Sequence, residues 1–169
     1  EPHSAQLATV LEENVGERTV LSMPYAQSDT VSLQEAGAEQ LAGVVSARGE
    51  QVWEDSGIAP RAAAQRVDGP SADADALDSV LATSGTAAIV PSSSLRSDPA
   101  SAVTPSSVGV YSSPGEEGGD LALLAPDPGL SDEFSHLTAD ADAEQVRQRL
   151  LAETATIASE YTTAPRHLL

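Results

Sequence analysis

Three short apolar runs, Arg18–Met23, 62–67 and Thr86–Val90, alternate with stretches whose apolar residues recur at helical spacing. A strand followed by a helix and another strand in the same sheet requires parallel pairing through a right-handed crossover. This order restricts the chain to the α/β class. The expected architecture is a partial (β/α) barrel-like fold or an open parallel sheet flanked by helices, with an inserted β-hairpin. All 169 residues read as one such domain, long enough to bury a core.

The first run is the anchor. Thr19-Val20-Leu21-Ser22-Met23 reads as a buried strand entering the loop Pro24-Tyr25-Ala26-Gln27-Ser28, with Ser28 or Asp29 capping the next helix. Before it, Ser4 to Val15 has helical spacing. After it, Leu33, Gly37, Leu41, Val44 and Val45 form the expected stripe of one long helix. Gly49 should interrupt that helix, with Glu50 to Ser56 as a separate short piece carrying Trp53. Ala62 to Val67, a turn at Asp68-Gly69-Pro70-Ser71 and a helix over Asp73 to Thr83 come next. The third strand is Thr86 to Val90, and a Ser/Pro-rich loop runs from Pro91 to Ser107.

Val108 to Ser112 and Leu121 to Ala125 are separated by a Gly/Glu-rich connection and read as a hairpin. Pro126-Asp127-Pro128-Gly129 reads as a turn. A long helix over Asp140 to Glu160 follows, with Val146, Leu150, Thr154, Ile157 and Tyr161 on one face. Arg166-His167-Leu168-Leu169 looks like the start of a further strand, which suggests a piece of a longer polypeptide.

Charge removes whole classes of function. The net charge is −18, with eight Arg and no Lys. A nucleic-acid binder needs clustered positive charge, and so does docking on an anionic membrane. The acids are spread along helix faces and loops, a pattern read as solubility rather than a cation site. Without cysteine there is no disulfide or thiolate metal site. His3, His136 and His167 show no zinc spacing, and no glycine-rich phosphate loop or GxSxG elbow occurs. No cofactor is expected, and no apolar run is long enough to span a bilayer.

Paired carboxylates are the one catalytic constellation to carry forward. Asp29 follows the first strand and Asp68 the second, so both would lie on the rim where α/β folds place their sites. Two such acids serve glycoside hydrolysis, one protonating the leaving group and the other attacking or activating water. The plainer reading is that Asp29 caps a helix and Asp68 shapes a turn. Tyr25 and Ser92, which follows the third strand, are candidate ligand-binding residues on the same rim.

The order Thr19-Val20-Leu21-Ser22-Met23-Pro24-Tyr25-Ala26-Gln27-Ser28-Asp29, with Leu33 and Gly37 behind it, resembles the DUF6049-like family of large actinobacterial cell-envelope proteins. Leu77 to Leu95 and Gln148 to Glu160, ending in Arg166-His167-Leu168-Leu169, are similar to later parts of the same region. The resemblance implies a region similar to glycoside hydrolase and polysaccharide deacetylase barrels, in an exported parent anchored by a membrane segment elsewhere. It carries no activity over, and the paired acids and metal histidines of active deacetylases are missing here. The expectation is therefore a non-enzymatic or degenerate hydrolase-like domain of the extracytoplasmic envelope, binding a partner protein or a cell-wall glycan. The alternative is a carbohydrate-active hydrolase using Asp29 and Asp68.

Overall fold

A computed structural model describes residues 6, 9–10, 13–15, 19–67, 69, 72–95, 103–114, 119–135, 143–162 and 165–169. Its centre is a five-stranded sheet of order β1-β2-β3-β5-β4. These strands are β1 (Leu21–Ser22), β2 (Ala62–Arg66), β3 (Ala87–Ile89), β4 (Val108–Ser112) and β5 (Asp120–Leu124). The pairs β1·β2, β2·β3 and β3·β5 are parallel, and β4 joins β5 antiparallel as the expected hairpin. The α/β class holds.

The helices are α1 (Thr30–Glu35), α2 (Glu39–Ser56), α3 (Ala74–Ala82), α4 (Pro128–Ser135) and α5 (Ala143–Ser159). The described residues between 6 and 15 are helical as well. From β1 through β2 and β3 to β5 the sheet grows in one direction. Equal-handed crossovers then place their helices on one face. Val31 of α1 and Leu77 and Val80 of α3 accordingly pack in one cluster with Val67, Ala88, Val90, Leu121, Leu123 and Ala125. Register puts Arg66, Ile89, Leu124 and Val108 in a row on the other face. There Arg66 is exposed and Ile89, Leu124 and Val108 are half-buried.

A polar connection runs through the packed side. Gln65 is buried, accepts a hydrogen bond from the Thr30 hydroxyl through Oε1, and donates from Nε2 to Thr83 Oγ1. The Thr83 hydroxyl in turn donates to the Val80 carbonyl at 3.0 Å, so each member has a partner.

Several expectations need correction. The single helix after Asp29 is two, because Gly37 at φ +72° takes the left-handed position that ends α1. Its Leu41 and Val44 are exposed, while Ala42 and Gly49 are the buried residues of α2. Gly49 does not interrupt the helix. A Cβ there would collide with the Met23 carbonyl and stand 3.1 Å from Tyr25 N, so glycine is needed for close approach. The first strand is only two residues long and lies at the sheet edge, with Leu21 half-buried. The turn at 126–129 instead opens α4, with Asp127 Oδ1 accepting from Leu130 N at 2.9 Å and Pro128 in the first helical turn.

The last segment is an extended tail and not a strand. Ser107 N donates to His167 O at 2.7 Å and Asp127 N to Leu169 O at 2.8 Å. Arg166 fastens it, donating to Glu160 at 2.5 Å, to Thr104 O at 3.0 Å and to Ile157 O at 2.7 Å. Tyr161 lies beyond the end of α5 and is 89% exposed, whereas Val146 and Ile157 are buried as their spacing predicts.

Candidate functional site

Parallel strands bring the loops after β1, β2 and β3 to one rim of the sheet. Pro24 to Ser28 occupies that rim after β1 as a 3-10 turn, closed by Gln27 N donating to Pro24 O at 2.9 Å. Ala26 and Gln27 hold left-handed φ angles of 55° and 52°. Such backbone is unfavourable for side chains with a Cβ and is kept only where the surroundings impose it. Tyr25 is half exposed, and the Arg48 guanidinium sits 5.8 Å from its ring centroid. That distance lies within the range of a cation–π contact.

Asp29 lies at the same rim as the cap of α1. Its Oδ1 accepts from Ser32 N at 3.0 Å and its Oδ2 from the Ser32 hydroxyl at 2.6 Å. The Ser32 hydroxyl and then its backbone N–H hold the Asp29 pKa below the ordinary carboxylate value. A general acid needs the opposite shift. Both oxygens are thus committed to the helix end. Asp68 lies outside the described residues.

Ser92 stands at the mouth of two adjoining grooves. One, of about 470 Å³, is lined by Ser92, Ser93, Leu95, Pro105, Ser106, Ser107, Ala125, Pro126, Asp127 and Pro128. The other, of about 350 Å³, adds Arg66, Val67 and Gly69 to Ser92, Pro126 and Pro128. Ser92, Pro126 and Pro128 belong to both. The grooves follow the carboxyl ends of β2, β3 and β5, where crossover folds leave a crevice. Tyr25 lines neither of them.

Local sequence explains the shape. Pro91, Pro126 and Pro128 end two strands and fix the backbone of the groove wall. The short 3-10 turn Ser92–Ser94 follows β3, and Ser94 Oγ ties it to the segment before α3 by accepting from Ala72 N at 2.8 Å. The tail from Arg166 is tied to two residues of the groove wall, Ser107 and Asp127, by backbone hydrogen bonds. The result is hydroxyls, one guanidinium, one carboxylate and flat pyrrolidine faces around an open trough. Neither Arg66 nor Asp127 carries a local signal in the sequence: Arg66 ends a strand, and Asp127 belongs to a turn motif.

A larger cavity, about 700 Å³, lies elsewhere. It opens at the amino end of β2 between Trp53, Ile58, Pro60 and Ala62, with Glu50 and Glu54 at its margin. It is a hollow beside the end of α2, and Ser22, Arg61 and Thr86 line it as well, so it is no poorer in hydrogen-bonding groups than the rim. The rim is the better candidate by position, at the carboxyl ends of the strands, although each of its grooves is smaller. Among the described residues no cluster of three potential metal ligands occurs, and no helix is long and apolar enough to cross a membrane. Comparison with protein-family models, curated proteins and solved structures found no match for this chain.

Proposed function

We propose that this is a non-catalytic, hydrolase-like binding domain of an exported actinobacterial cell-envelope protein, and that a cell-wall glycan lies in the Ser92 groove. The observation that carries the reading is the paired grooves themselves. Ser92, Ser93, Ser106 and Ser107 line the larger groove at the carboxyl ends of β3 and β5, with proline rings beside them. Sugars present the complementary mixture of hydroxyls and apolar C–H faces, and such sites combine a few placed polar groups with apolar walls. Arg66 adds a donor for an acidic sugar or a lactyl carboxylate. The hold of Ser32 on Asp29 supports binding over hydrolysis, because the carboxylate caps a helix and its pKa moves away from that of a proton donor.

The test is a titration of the chain with soluble fragments of bacterial wall glycan, read by calorimetry, with Ser92→Phe to fill the trough. Ser92 is exposed, so this change leaves the core alone. Saturable binding lost in Ser92→Phe is expected. No binding, or binding indifferent to Ser92, refutes the site. Release of cleaved glycan that stops in Asp29→Asn would replace the reading with the hydrolase alternative.

A further inference from the structure

β4 is the terminal strand on its side of the sheet, and among the described residues it pairs with β5 alone. Among the described residues its outer backbone edge therefore has no ladder partner, and Val108 N turns back to Ser106 Oγ at 3.3 Å. Proteins commonly blunt such an edge with Pro, Lys or an inward charge. β4 reads Val108-Gly109-Val110-Tyr111-Ser112 and has none of these.

The two faces of this strand differ in chemistry. Val108 and Val110 point to one side, opposite Leu124 and Ala122, and Val110 is 69% exposed. Tyr111 points to the other side, where its hydroxyl donates to Asp78 Oδ1 at 3.0 Å. Asp75 lies close enough to act on the same phenol by charge. The edge thus presents an apolar side and an acidic side at the two-residue period of a strand.

We infer that the open edge of β4 takes up an extended basic segment of a partner protein as a sixth strand. Its alternate residues are apolar beside Val110 and Arg or Lys toward Asp75 and Asp78. Main-chain hydrogen bonds supply the affinity in such strand addition, and the alternating side chains supply the choice of partner. The added strand lies about 4.8 Å from β4, and diagonal neighbours about 7–8 Å apart remain within reach of long basic side chains. Charge selects against the simplest competitor, a second copy of this chain, since each copy carries −18. This surface is distinct from the Ser92 groove and does not depend on the glycan reading.

The experiment uses the full chain and a synthetic peptide alternating valine with arginine. A scrambled peptide of the same composition and a peptide with glutamate for arginine serve as comparisons. Binding is followed by fluorescence anisotropy and by amide hydrogen exchange at residues 109–112. The alternating peptide should bind, slow exchange on β4, and weaken several-fold in Asp75→Asn/Asp78→Asn. Val110→Asp separates strand addition from plain charge attraction. It adds a carboxylate but spoils the apolar side, so binding should fall several-fold, whereas a purely ionic contact would strengthen. Equal binding of the scrambled peptide, no protection at 109–112, or stronger binding to Val110→Asp overturns the proposal. So does dimerisation of the chain through β4 in sedimentation. Ser92→Phe should leave peptide binding unchanged, which keeps this result separate from that of the groove.

Discussion

Gly49 and Gly43 both lie inside α2, and replacing each by alanine asks opposite things of the same helix. Alanine is worth about 1 kcal/mol over glycine in a helix interior. At Gly43 nothing lies within 4 Å of the new methyl, so Gly43→Ala should realise that gain. At Gly49 the methyl meets backbone: the Met23 carbonyl, Pro24 C at 3.3 Å and Tyr25 N at 3.1 Å. Backbone cannot swing aside as a long side chain does, and overpacking of this kind costs about 1–3 kcal/mol. The propensity gain is common to both, so the two variants should stand about 1–3 kcal/mol apart. For a chain of this size that is roughly 2–12 °C in Tm. Thermal unfolding by circular dichroism reads the separation, and Trp53 fluorescence reports whether α2 has moved. If Gly49→Ala is stabilised as much as Gly43→Ala, α2 does not pack against the rim turn as described.

Other perturbations test other parts. Asp29→Ala removes the cap of α1 and should cost about 1 kcal/mol in urea denaturation, while an unchanged midpoint would deny the cap its role. Leu121→Ala empties a fully buried position, with an expected loss of about 3 kcal/mol. Glu160 gives a pH dependence. The Thr104 backbone N–H and then Arg166 lower its pKa below 4.5, so the native state favours the charged carboxylate. A depressed carboxylate stabilises fully above its unfolded value and loses that contribution as pH falls through the folded value. Protection factors of the Ser107 and Asp127 amides, which take out the intrinsic pH dependence of exchange, should therefore fall on acidification below about pH 4.5 in the native chain. In Glu160→Gln they should already be low at neutral pH.

How far the sequence reveals this fold depends on what each element packs with. α3 is legible because Asp73 caps it and Leu77 and Val80 lie at helical spacing on the buried side. α5 is legible through Val146 and Ile157. α2 misleads because its contact is made by Ala42 and Gly49, whose smallness permits close approach and which hydropathy does not single out. Its Leu41, Val44 and Val52 face outward instead. α4 hides behind Pro126-Asp127-Pro128-Gly129, since the same residues signal a turn or a capped helix start until the tertiary partners are present. At the rim, Ser92 follows from strand order alone. Arg66 and Asp127 join it only because β2 and β5 flank β3, an adjacency that no local spacing encodes.

The Thr30–Gln65–Thr83 connection has a consequence for how β2 finds its place. The strand begins Ala62-Ala63-Ala64, three identical methyls that fit equally well if displaced along their neighbours. Slippage by one position would turn the Arg66 guanidinium into the apolar layer, and slippage by two would take the Gln65 acceptor away from the buried Thr30 hydroxyl. A single neutral amide thus acts as the index mark for an otherwise featureless strand. Carrying no charge, it keeps that alignment through an acid titration that would loosen the carboxyl-terminal tail.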